Sequence, residues 1–187
     1  MRKILFILAI TIFSVFVFFA FSESRNGFLN RNISSGATEV YFGTETVSGR
    51  VYLWTDKKHG ELYSDPQMTI QNGFTSDVDS LSYTGKKSSG FYEVAVSVKV
   101  SEGLLAPTLT ESLKEYEKKY YEQCSTCHAA AALNRFNKSR WENILRSMQQ
   151  HSGISNEDLS AIRRYVLLSI TSYCRINFVF SSFLTHS

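Results

Sequence analysis

Cysteine is scarce in this chain: three residues, Cys124, Cys127 and Cys174. A structural zinc site ordinarily takes four ligands, and no second close cysteine pair is present to complete one. A thioredoxin-like dithiol needs a βαβ setting, which the helical pattern around Cys124 and Cys127 does not supply. Charge of one sign is also sparse. Twenty Lys and Arg against seventeen Asp and Glu leave a formal charge of +3. No basic run is long enough to follow a phosphate backbone, so nucleic acid is not an expected partner. Neither a P-loop nor a Gly-rich dinucleotide fingerprint occurs, and no repeat recurs at solenoid spacing.

What is present is more specific. Apolar residues make up 43% of the 187 residues, enough for a real core in one or two small domains. Cys124-Ser125-Thr126-Cys127-His128 is the pattern of covalent c-type haem attachment. Two thiols on one helical turn add to the two haem vinyl groups, and the histidine that follows at once reaches the iron as the proximal ligand. One covalent haem c is therefore the expected cofactor, held by Cys124, Cys127 and His128.

The N-terminus supports the same chemistry. Arg2 and Lys3 precede an apolar run from Ile4 to Phe21, the layout of an export signal. Ala20 and Ser22 stand at the −3 and −1 positions of a cleavage site that would leave Glu23 first. The run also approaches the length that spans a bilayer, so residues 1–22 read as a signal peptide or as a retained membrane anchor through 4–21. Either way the remainder is expected in the periplasm, on the side of a membrane where haem is attached covalently.

Residues 23–37 are polar, without period, and read as a linker. From Thr38 the texture turns β. Val40–Phe42, Val47–Thr55 and Leu62–Tyr63 are rich in aromatic and β-branched residues, with Asp56–Gly60 as a turn that includes His59. Tyr92, Val94, Val96, Val98 and Val100 alternate with polar or small residues, a strand period of two. Residues 71–90 read as loop. The segment 38–103 is thus a small β module of about four strands.

Helical spacing follows. Leu109, Leu113, Tyr116 and Tyr120 share one face, with Thr110 as N-cap, and this helix leads straight into Cys124. Ala129–Ala132 come after the motif. Ser139 and Glu142 form a capping box for a helix whose apolar face is Trp141, Ile144, Leu145 and Met148. Ser155–Asp158 open a last helix, with Leu159, Ile162, Val166 and Ile170 on its apolar side. Residues 104–172 form the helical haem-binding segment, and 173–187 a tail with Cys174 and the apolar Phe178, Val179, Phe180, Phe183 and Leu184. Met148 is the first candidate for the iron's second ligand, with His151, another residue or an open site as alternatives. A Met sulfur favours Fe(II) and raises the potential, whereas a second His lowers it.

A helix, CSTCH, the W-x-x-I-L-x-x-M stretch from Trp141 to Met148 and a capped final helix together resemble a monohaem cytochrome c domain. With the β stretch GRVYLWTDKKHGELY (Gly49–Tyr63), the chain from about 38 to 172 is similar to the C-terminal domain of TorC-type cytochromes. That resemblance implies an α+β architecture, a small N-terminal β module followed by an all-α cytochrome c-like haem domain. It also implies an electron carrier rather than an enzyme, passing single electrons to a periplasmic molybdopterin reductase of the trimethylamine N-oxide or dimethyl sulfoxide (N-oxide/S-oxide) class in anaerobic respiration. Two features depart from the family. The tetrahaem half is absent, so electrons must come from a quinol-oxidising complex or another cytochrome, and the Gly-Pro loop common after the haem motif is missing. Arg135, Lys138, Arg140 and Arg146, facing only Glu142, form a candidate basic rim for an acidic partner. Two other readings remain open: a haem protein whose open distal site binds or reduces a small molecule, and an assembly or binding subunit of a molybdoenzyme.

Overall fold

The computed structural model describes residues 26–183; residues 1–25, with the expected export segment, and 184–187 lie outside them. Ten strands come first: β1 (Gly27–Leu29), β2 (Ile33–Ser35), β3 (Thr38–Val40), β4 (Glu45–Thr46), β5 (Arg50–Thr55), β6 (Glu61–Tyr63), β7 (Gln71–Thr75), β8 (Ser82–Ser88), β9 (Phe91–Ser97) and β10 (Leu105–Ala106). One helical turn, Leu109–Ser112, then precedes three helices: α1 (Lys114–Cys124), α2 (Lys138–His151) and α3 (Asn156–Phe183). Seven strands form one curled antiparallel sheet in the order β2-β3-β7-β6-β5-β9-β8, and β10-β1-β4 form a smaller one. Among the described residues no helix is long and apolar enough to cross a membrane.

This architecture overturns the expected fold class. The β part is not a small module of about four strands, and the helices are not an all-α cytochrome c-like haem domain. The protein is β-rich, and its three helices close against the strands. The missed strands have physical reasons. β8 reads SYTGKKS, and its first six residues are exposed, so no apolar period marks it. It is an edge strand, where Lys86 and Lys87 discourage pairing with another chain. β7 contains Gly73, whose Cβ, if it had one, would stand 2.4 Å from the Glu39 carbonyl oxygen of β3. Glycine permits that close approach and gives no strand signal of its own. β1 and β2 lie in the polar stretch read as a linker, and β10 returns to pair with β1 through Phe28↔Ala106.

The expected alternation holds in the centre of the large sheet. Val51 pairs with Val96 and Leu53 with Val94. Those four, with Leu29, Val40, Leu62, Leu81 and Val98, bury one core. The turn Asp56–Gly60 joins β5 to β6, closed by the Asp56 carboxylate, which accepts from the Lys58 and His59 backbone and meets His59 Nδ1 at 2.6 Å. His59 is a turn residue there.

A second core lies under the helices, and the strands contribute to it. Phe42, just after β3, and Ile70, just before β7, are buried in one cluster with Leu113, Tyr120, Cys124, Trp141, Leu145, Leu159, Ile162, Tyr165 and Val166. Phe42 stacks on Tyr116 of α1, with ring centroids 3.5 Å apart and planes 7° from parallel. The helical face expected to run from Leu109 to Tyr120 is interrupted at Leu113, between the first turn and α1. Thr108, not Thr110, is the cap, accepting from the Glu111 N–H at 3.2 Å.

Arg164 of α3 ties the two layers together. Its Nε donates to the Phe42 carbonyl at 2.7 Å, and its terminal nitrogens donate to the Gln71 carbonyl and, at 3.1 Å, to Asn72 Oδ1. The guanidinium carbon lies 5.3 Å from the Phe42 ring centre and 5.5 Å from that of Tyr41. Burial lowers its pKa to about 10, so it keeps its charge at neutral pH.

Arg164→Ala should therefore cost about 3 kcal/mol of stability, because hydrogen bonds from a charged donor to sheltered acceptors are each worth about 1.5–3 kcal/mol. Arg163→Ala removes only the ion pair to Glu142, at 2.7 and 2.8 Å on a more exposed face, and should cost less than about 1 kcal/mol. Urea unfolding of both variants checks the contrast. Equal losses would show that Arg164 does not join the layers.

Candidate functional site

Cys124 is the last residue of α1. The Ser125 N–H donates to the Tyr121 carbonyl at 3.0 Å and the Thr126 hydroxyl to the Glu122 carbonyl at 3.1 Å, so the helix end is satisfied within the motif. The two thiols meet different surroundings. Cys124 is buried in the helix core, while Cys127, three residues on, is exposed. Burial pushes the Cys124 thiol up from its ordinary pKa, holding it as S–H. Both cysteines are free.

His128 is exposed, and its Nδ1 lies 3.0 Å from the Ala129 carbonyl oxygen. A carbonyl only accepts, so this contact places a hydrogen on Nδ1, and in the neutral ring Nε2 is then the bare nitrogen. That is the state a metal-binding imidazole takes when its other nitrogen is held by a carbonyl.

The segment after His128 is pinned by aromatic side chains. The Tyr120 hydroxyl donates to the Ala131 carbonyl at 2.5 Å, and Trp141 Nε1–H donates to the Leu133 carbonyl at 2.9 Å. Burial raises the Tyr120 hydroxyl pKa to about 12, so it remains a donor. Tyr120 packs edge-on to Trp141, and Trp141 edge-on to Phe136. The sequence placed Tyr120 and Trp141 on apolar faces. Periodicity carries no signal for where a buried O–H or N–H finds its acceptor.

Met148 lies on α2. The cap of that helix is Asn137, whose Oδ1 accepts from the Arg140 N–H at 2.9 Å, rather than the Ser139–Glu142 box, because Glu142 is engaged by Arg163. Trp141 and Leu145 are buried and Ile144 partly so. Met148 extends their face by one turn, half-buried and outside the core cluster that holds Cys124. Its thioether is therefore not fixed by core packing. His151 is exposed at the helix end, with Nδ1 2.8 Å from the Ser147 carbonyl oxygen. Among the described residues no hydrogen bond joins Met148 or His151 to Cys124–His128, and no three His, Cys, Asp or Glu side chains converge as ligands for a bare metal ion.

The basic rim is divided. The Lys138 ammonium donates to the Thr69 carbonyl at 2.7 Å, and Arg135 lies over the Phe136 ring. Arg140 and Arg146 are exposed, with no ion pair to a described residue. One turn before Cys124, Tyr121 lines a cavity of about 430 Å³ with Leu109, Leu113, Leu133 and Tyr165.

The donor set fits a covalent haem. By residue type, two free thiols three residues apart could form two thioether bonds once the buried Cys124 is exposed, and the adjacent imidazole could ligate through Nε2. In the reduced, haem-free chain with Cys174→Ser, a thiol reagent should label Cys127 rapidly and Cys124 slowly, with the difference abolished in denaturant, because the thiolate is the reactive form and burial suppresses it. Peptide mapping of the label reads this out; equal native rates would contradict the burial of Cys124.

No protein-family model, no curated protein and no solved structure matches this chain.

Proposed function

We propose that this protein is a periplasmic one-electron carrier that holds a single covalent haem c on Cys124 and Cys127. It delivers electrons to a molybdopterin N-oxide or S-oxide reductase and receives them from a quinol-oxidising complex or another cytochrome. The observation that carries the reading is the motif's geometry: two free thiols at the end of α1, followed by an imidazole whose Nδ1 hydrogen is taken by a carbonyl.

Each residue has a defined task. Cys124 and Cys127 would hold the haem, each S–H adding across one vinyl group, sulfur to one carbon and hydrogen to the other, so that nothing leaves. His128 would ligate the iron through Nε2. Met148, a soft thioether outside the packed core, would be the second ligand and would set the potential. Bound haem would supply an iron that alternates between Fe(III) and Fe(II). Tyr120, Trp141 and Leu145 keep water from the inner side of the attachment helix. Arg140 and Arg146 steer an acidic partner over the exposed side of α2, in the small, transient kind of encounter that suits redox exchange.

Two measurements test this. In the haem-loaded protein, Met148→Ala should abolish the weak red-end absorption band of methionine-ligated ferric haem and lower the midpoint potential, since axial ligands together span about 0.8 V, whereas His151→Ala should leave both unchanged. A high-spin spectrum in the unaltered protein, responsive to added ligands, would favour the open-site reading instead. The double variant Arg140→Glu, Arg146→Glu should slow electron delivery to the reductase at low salt, with the difference shrinking at high ionic strength, where exposed charges are screened. A rate independent of both the variant and salt would refute the docking role.

A further inference from the structure

We infer that Tyr120 and Trp141 are positioning residues for His128: their side-chain donors fix the backbone just after the motif, and that backbone decides which ring nitrogen of His128 stays open. The purpose of this device rests on the proposed ligand role of His128; its geometry does not.

Ala129–Ala131 lie outside helix and strand, and the chain then enters a single 3-10 turn at Leu133–Arg135, capped by Ala132. Four carbonyls between Ala129 and Leu133 are engaged. Ala129 accepts from His128 Nδ1–H at 3.0 Å, Ala131 from the Tyr120 hydroxyl at 2.5 Å, Ala132 from the Arg135 N–H at 3.0 Å and Leu133 from the Trp141 indole at 2.9 Å. Two of these donors are side chains anchored in the core: Tyr120 is 1% exposed and Trp141 2% exposed. Their rings pack edge-on with centroids 6.2 Å apart. A buried phenol or indole needs a partner for its hydrogen, and here both partners lie on the loop that leaves His128. Tyr120 stands one turn before Cys124 on α1 and Trp141 on α2, so the loop is fixed from two helices at once.

The chemical consequence falls on the imidazole. A neutral, water-exposed histidine ring prefers its hydrogen on Nε2, the nitrogen that must be bare to bind iron. Holding the Ala129 carbonyl against Nδ1 reverses that preference before any ligand is bound, and a hydrogen-bonded Nδ1–H also makes the imidazole a more basic ligand. Loosening the loop should therefore return hydrogen to Nε2 and, in a loaded protein, raise the midpoint potential.

The test uses the full-length chain with Tyr120→Phe, Trp141→Phe and, as an exposed control on the same helix, Tyr121→Phe. In the haem-free form, ring nitrogen chemical shifts of His128, read where the ring is neutral, report the tautomer. The unaltered chain and Tyr121→Phe should hold hydrogen mainly on Nδ1; Tyr120→Phe and Trp141→Phe should move it toward Nε2. Tyr120→Phe deletes one oxygen from a packed ring, so it carries the test if Trp141→Phe fails to fold. An unshifted tautomer in Tyr120→Phe, or a mixed one in the unaltered chain, overturns the inference. In the haem-loaded form Tyr120→Phe should raise the potential with both thioether bonds intact, and an unchanged potential overturns the tuning role. If the unaltered chain takes up no haem, the functional reading fails while the tautomer result still decides the positioning role.

Discussion

The guanidinium of Arg164 is the interaction on which the arrangement of this protein depends. Planar and permanently charged, it can serve several acceptors at once, and it does so at the junction of two layers: the Phe42 and Gln71 carbonyls and the Asn72 side chain. These groups sit where β3 ends and β7 begins, where strand backbone turns away from its ladder and loses its regular partners. α3 supplies the missing donors. Phe42 and Ile70 are thereby held within the helix core, and α1, packed between Phe42 and α3, presents its C-terminal end in a fixed place. That end is Cys124.

From there the structure is a sequence of satisfied donors. α1 closes on its own turn at Ser125. The chain beyond it makes one 3-10 turn of its own at Leu133–Arg135, and two buried aromatic residues hold the stretch that leads into it, through Ala131 and Leu133. Between these fixed ends lie an enclosed thiol, an open thiol and an imidazole with one nitrogen engaged. A rigid frame around a reactive group lowers the cost of ordering it when a ligand arrives, and on the proposed reading that ligand is a haem whose redox state must change with little rearrangement.

The candidate attachment residues stand out as a motif, because Cys124, Cys127 and His128 lie within five residues and their proposed chemistry depends on identity and spacing. The centre of the large sheet was equally legible: Val51, Leu53, Val94 and Val96 bury one face and alternate as a strand must. The rest was hidden for identifiable reasons. β8 is polar because it is an exposed edge, and β7 contains a glycine because β3 passes too close for a side chain. Ser139 and Glu142 have the spacing of a capping box but form none, since Asn137 caps the helix one residue before its start and Glu142 pairs with α3. The expected separate helical haem domain was not found because Phe42 and Ile70, distant in sequence, complete the helix core, and one arginine reaches back over ninety residues to hold them. No local pattern encodes such long-range contacts.

On the proposed reading, Cys124 and Cys127 carry one covalent haem. That reading is tested most directly by the intact mass, under denaturing conditions, of the protein exported from cells that attach haem. The expected result is the mass of the chain plus a single haem that survives unfolding, and its loss in the double variant Cys124→Ala, Cys127→Ala. A chain of bare mass from such cells, with both thiols free, would contradict it.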